Sequence, residues 1–85
     1  MVKNFQSETP LTLDANSTIN YFDIPYQEYD EYVAVMATLI YSYSDYVVSR
    51  GCNITNGNVR IFPVNTHSEQ VTCYPMVGVL YAKNK

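Results

Sequence analysis

From Val33 onward the chain alternates: Val33, Val35, Ala37, Leu39, Tyr41 and Tyr43 form an unbroken apolar or aromatic series, while the intervening positions mix Ala34, Met36 and Ile40 with Thr38, Ser42 and Ser44. Burial with a period of two predicts a long strand whose odd-numbered face is buried. Val33, Met36, Ala37 and Ile40 also fall at helical spacing, so a helix over residues 31–41 is the competing reading. The density of β-branched and aromatic residues favours the strand.

The sharpest local signal is Ile54-Thr55-Asn56-Gly57-Asn58-Val59, in which Asn-Gly offers the two positive-φ positions of a type I′ turn. The hairpin it predicts joins strands near 45–55 and 58–64, with Ile54 opposite Val59, Cys52 opposite Ile61 and Asn53 opposite Arg60. Gly51 is a candidate bulge, and Pro63 places its part of the second strand at an edge or irregularity. A last strand is expected over Val71 to Ala82, with Val71, Cys73, Val77, Val79 and Tyr81 on one face and with Pro75 and Gly78 as irregularities. Two short strands, Pro10 to Asp14 and Thr18 to Ile24, flank the turn-forming stretch Asp14-Ala15-Asn16-Ser17.

About six short antiparallel strands separated by turn signals describe an all-β domain, a small sandwich or barrel. Residues 1–8 are expected to be a flexible arm and residues 9–85 a single domain. If successive strands run antiparallel, the loop YQEYDEY (Tyr26 to Tyr32) and the Asn56-Gly57 turn share one pole, and Asp14 to Ser17, Ser42 to Asp45 and Asn65 to Gln70 share the other.

Composition narrows the function. With 47% apolar and 15% charged residues the chain is too hydrophobic for disorder. A net charge of −3 with five Lys and Arg in all leaves no phosphate-neutralising patch, which argues against a nucleic-acid partner. The opening residues MVKNFQSETP lack an apolar stretch of signal-peptide length, and no run of apolar residues is long enough to span a membrane, so no membrane association is expected. Cys52 and Cys73 lack the spacing of redox or zinc motifs and read as small apolar residues, with a disulfide as the alternative.

Glu28, Asp30 and Glu31 crowd one loop, whereas working carboxylate pairs come from separate elements flanking a cleft. The glycine-containing rhythm of an EF-hand calcium loop is absent, and His67, the sole histidine, stands among loop residues without a nucleophile motif. Neither an enzymatic activity nor a metal or cofactor is expected. Tyrosine remains: nine in 85 residues, supplying rigid area and a hydroxyl suited to recognition, but also a strong strand former. Tyr26, Tyr29 and Tyr32 stand apart because they flank charges in a loop. Two readings fit them, contact with a subunit or ligand and capping of the core at that pole.

The order of segments, Leu13-Asp14-Ala15-Asn16-Ser17-Thr18, then Phe22-Asp23-Ile24-Pro25, a tyrosine-containing loop, a long apolar strand, Asn58-Val59-Arg60-Ile61, Val64-Asn65-Thr66 and a closing Val77-Gly78-Val79-Leu80-Tyr81-Ala82-Lys83, resembles small β-sandwich modules of bacteriophage virions. Such modules occur at tail-fibre ends and in other appendage or minor structural proteins, and the likeness covers residues 9–83. It implies a jelly-roll-like sandwich, commonly trimeric, that binds a host-surface glycan or another virion protein. Fibre tips follow a shaft, and this sequence starts at Met1, so the expectation is a free-standing capsid decoration or tail or appendage subunit located in the virion and associating with itself. The other expectation is a carbohydrate-binding module using Tyr26, Tyr29 and Tyr32.

Overall fold

A computed structural model describes residues 1–84 and contains strands but no helix among them. The strands are β1 (Val2–Gln6), β2 (Leu11–Leu13), β3 (Phe22–Pro25), β4 (Tyr32–Tyr41), β5 (Val47–Thr55), β6 (Asn58–Asn65), β7 (Val71–Cys73) and β8 (Met76–Lys83). They pair antiparallel as β1–β8–β4, β3–β6–β5 and the two-stranded ribbon β2–β7. The pairs β1 with β8, β2 with β7 and β3 with β6 are nested, so the chain runs as one long hairpin folded back on itself, a winding compatible with a jelly-roll-like plan.

The two three-stranded sheets share one core. Ile24, Val59 and Ile61 from one sheet and Val77, Val79 and Tyr81 from the other form a single buried cluster, flanked by Ala34, Ala37, Leu39 and Ile54. The β2–β7 ribbon covers a second cluster of Leu11, Leu13, Val47 and Cys73. Phe22 packs against both clusters and joins them along a body measuring 48 × 18 × 17 Å.

The hairpin register is as expected: Ile54 pairs with Val59, Cys52 with Ile61 and Asn53 with Arg60. The turn differs from type I′, because only Gly57 has a positive φ, 77°. The bulge expected at Gly51 is present as a register shift between Ser49 and Cys52, where Ser49 Oγ donates to Gly51 O and accepts the Phe62 N–H at 3.1 Å. Pro63 sits in the central strand and costs no ladder bond. The Phe62 N–H points to β5 and the Asn65 N–H the other way, to Ser17 O at 2.9 Å, so the Pro63 nitrogen faces the side of β3, whose pairing ends at Phe22–Ile61.

Beyond the turn and Pro63, the structure corrects the sequence reading at three places. Residues 1–8, expected to form a flexible arm, contain β1, which pairs with β8 from Val2–Leu80 to Gln6–Met76. The last strand breaks at Tyr74-Pro75, so β7 joins β2 while β8 becomes the centre of the other sheet, and the count rises from about six strands to eight. In β4 the expected face is inverted over its first half. Register shifts between Ala34 and Met36 and between Leu39 and Tyr41 insert bulges, so Tyr32 and Ala34 and then Ala37 and Leu39 face the core, while Val33, Val35 and Tyr41 lie outside. One inserted residue moves every later side chain to the opposite face.

The grouping of loops at two poles holds. The Tyr26 N–H donates to Gly57 O at 3.1 Å at one end, and at the other the Asn16 N–H reaches His67 O at 2.9 Å and the Thr66 N–H reaches Tyr46 O at 2.8 Å.

Candidate functional site

The first pole is built by tyrosines from two directions. Pro25 ends β3, and the loop that follows is pinned by the Tyr26 amide and by a bridge between Tyr29 and Tyr32, whose N–H donates to Tyr29 O at 3.4 Å. Below the loop rises Tyr81, from the end of β8, 3% exposed, its hydroxyl donating to Gln27 O. Tyr26 meets the Tyr81 ring edge-on at 6.3 Å and 72°, Tyr29 meets it at 5.2 Å and 83°, and Tyr29 meets Tyr32 at 6.4 Å and 83°. Edge-to-face packing at these distances is the favourable arrangement of aromatic quadrupoles.

The three loop tyrosines are each half-buried and packed against the main core, as capping requires. Their outer sides, with Glu28, Asp30 and Tyr81, line a hollow of about 330 Å³. Burial, with Tyr29, Tyr26 and Glu28 nearby, pushes the Tyr81 phenol up and keeps it neutral. The sequence alone places Tyr81 on one face of the last strand, apart from the loop tyrosines. Its inward parity with Val77 and Val79, combined with the pole assigned to the loop, is the signal that places it here.

Glu28, Asp30 and Glu31 are exposed. Among the described residues no group of three His, Cys, Asp or Glu side chains is placed to hold a metal ion. At the opposite pole His67 serves the loop: its Nδ1 accepts the Glu69 N–H at 2.9 Å and its ring stands against Tyr46 at 4.0 Å and 82°. Beside it Asn65, 1% exposed, donates through Nδ2 to Leu13 O, Asp14 O and Glu69 O at 3.3, 3.0 and 3.0 Å and accepts the His67 N–H at 2.9 Å. This residue was read only as part of a polar loop. Cys52 and Cys73 are free thiols, the second buried, and burial pushes both up.

The outer faces of the two sheets differ in kind. On β3–β6–β5, Asp23, Arg60 and Asn53 form one cross-strand row, with Arg60 Nε and Nη2 donating to the Asp23 carboxylate at 2.9 and 3.0 Å and the guanidinium 3.8 Å from the Tyr21 ring centre. On β1–β8–β4 the rows are Val2–Leu80–Met36, Asn4–Gly78–Thr38 and Gln6–Met76–Tyr41, none of them charged. Val33, Val35 and Ile40 extend that uncharged surface and are each about half exposed.

No helix among the described residues is long and apolar enough to cross a membrane. Set against protein-family models, curated proteins and solved structures, the chain has no significant match in any of the three.

Proposed function

We propose that this chain is a non-enzymatic assembly module, a structural subunit of a bacteriophage virion such as a capsid decoration or tail appendage, that associates with further copies of itself. The observation that carries the reading is the uncharged outer face of β1–β8–β4. Val2, Met36, Tyr41 and Leu80, with Val33, Val35 and Ile40, expose between 39% and 64% of their surface there. From residue sizes these seven residues together expose roughly 700 Å², close to one side of a standard interface, with the uncharged row Asn4–Gly78–Thr38 among them. The outer face of the other sheet carries the charged row Asp23–Arg60 beside exposed Tyr21 and Val48, whereas the cross-strand rows of β1–β8–β4 carry no charge. The virion assignment rests on the order of segments that resembles phage modules, and a trimer is the number that resemblance implies.

The test is mass in solution. Light scattering should give an oligomer for the native chain and a monomer for Met36→Lys, with retained strand circular dichroism. A native chain that is monomeric at every concentration would reject the reading. Detection of the protein in purified particles tests the virion assignment separately.

A second reading, a carbohydrate-binding module, rests on the half-buried Tyr26, Tyr29 and Tyr32 at the loop pole. Unchanged mass together with glycan binding that is lost in Tyr29→Ala would select it over assembly.

A further inference from the structure

We infer that, given the self-association proposed above, two copies pack the outer faces of β1–β8–β4 together across a two-fold axis running along β8, so that the assembly unit is a closed dimer and not the trimer the resemblance implies. A three-fold ring joins two different patches of each subunit, whereas a two-fold joins one patch to itself. Among the described residues, one sheet face exposes a run of large apolar side chains across uncharged rows. Tyr43 continues it, its ring 4.4 Å from that of Tyr41, and Met1 precedes it. The other exposed large apolar side chains are dispersed: Tyr21 against Arg60, Val48 on β5, Tyr46 against His67 and Tyr74 between β7 and β8. There is one patch to use, and its exposed surface, close to one side of a standard interface, suffices when used once.

The order of the rows sets the direction of the axis. Along β8, the rows Ala82–Val33 and Val2–Leu80–Met36 make one half of the face apolar, while Asn4–Gly78–Thr38 and Gln6–Met76–Tyr41 make the other half mixed. An axis across the strands sets the apolar half against the mixed half. An axis along β8 sets each row against itself: Val2 meets Met36, Leu80 meets its own counterpart, and Asn4 meets Thr38, an amide against a hydroxyl. Apolar surface then covers apolar surface, which is what drives association. Ile40 reaches over Gly78 towards the central strand, its Cδ1 being 2.8 Å from where a Cβ on that glycine would lie, so the two Ile40 tips come together near the axis. Since none of these rows carries a charge, the symmetry brings no like charges together within them.

The experiment is light scattering combined with cysteine cross-linking of the full chain. The expected mass is that of a dimer, falling to that of a monomer on dilution. Sheets packed face to face lie about 10 Å apart, within reach of a short bis-maleimide. Asn4→Cys and Thr38→Cys, both at exposed positions, should yield covalent dimer when the two variants are mixed and little more than the native chain when each is alone. Leu80→Cys should yield it by itself, and Val48→Cys, on the other sheet, should not. The native chain, with its thiols Cys52 and Cys73, is the control. Adding Met36→Lys should abolish the cross-link. If Leu80→Cys fails to keep its strand circular dichroism, the mixed pair decides. A trimer, a dimer in which the mixed pair does not cross-link, or cross-linking of Asn4→Cys or Thr38→Cys alone as efficient as that of the mixture would each overturn the axis along β8 while leaving self-association standing. A monomer at every concentration would overturn both.

Discussion

A Cβ placed on Gly78 would lie 2.8 Å from Ile40 Cδ1 and 3.0 Å from its Cγ1, so the Ile40 side chain is folded over the bare backbone of β8. Ile40 is the residue inserted at the second bulge of β4, and Gly78 sits in the central row between Asn4 and Thr38. The contact therefore shapes the middle of the uncharged face: a groove floored by glycine and roofed by a half-exposed isoleucine.

Gly78→Ala forces Ile40 to move. Because Ile40 is 50% exposed, its tip can swing into solvent, so the expected loss is about 1 kcal/mol or less. Chemical denaturation of Gly78→Ala, Ile40→Ala and the double variant should show coupling, with the double variant losing less than the sum of the single ones. Strict additivity would refute the contact. The same substitution should weaken self-association, measured by light scattering.

Asn65 should be the most sensitive polar position. Its amide satisfies carbonyls from the β2 end and from its own loop, and Asn65→Ala removes all four bonds inside a site of 1% exposure. Leaving those groups unpaired costs about 2–4 kcal/mol. Asn65→Asp keeps the shape but turns a carboxylate oxygen toward three carbonyls, so its defect should ease as pH falls and the acid is protonated. Equilibrium unfolding of both variants across pH checks the pair of expectations.

Tyr81 predicts an alkaline limit. Its phenol is held above the usual value near 10 by burial first and by Tyr29, Tyr26 and Glu28 next. The unfolded chain ionises first, so this contribution to stability is fully present below about pH 10, declines above it and is lost as pH passes the folded value. In absorbance titrations the Tyr81 phenol should ionise above the usual tyrosine range. Tyr81→Phe should lose about 1 kcal/mol at neutral pH, through the missing bond to Gln27 O, and should flatten the alkaline decline in stability. An unchanged decline would show that the phenol is not its source.

The thiols should be inert in the folded state. Cys73 is 3% exposed, Cys52 is half-buried, and both are pushed up by burial, which lowers the thiolate fraction that reacts. A thiol reagent should label Cys73 at the rate of unfolding and Cys52 faster, and both at once in denaturant. Immediate labelling of Cys73 would contradict the packing of the second cluster.

Much of this fold is local and therefore legible along the chain. Asn56-Gly57 sets a two-residue turn, the turn sets the register, and Gly51 marks the bulge, so the β5–β6 hairpin follows from nearest neighbours. Strand direction then carries Tyr26 to Gly57 and Asn16 to His67, because a chain reversing at each turn has only two ends at which to put its loops. What alternation cannot record is an inserted residue within a strand that is apolar on both sides. Val35 and Met36 read alike in either register, and only pairing with β8 decides which of them turns outward. The same limit hides β1, a strand of ordinary composition ordered by a partner some 75 residues away, and Asn65, whose acceptors at Leu13 and Asp14 come from the far side of the sequence. The tyrosine cluster at the loop pole is of this kind. Tyr29 and Tyr81 are distant in sequence, and their contact at 5.2 Å arises because two strands from opposite halves of the chain end at the same pole. Sequence specified which segments would be extended and where the local turns and the Gly51 bulge would fall. The tertiary structure chose the partners, because pairing and burial at long range are settled by the whole set of contacts that one arrangement satisfies together.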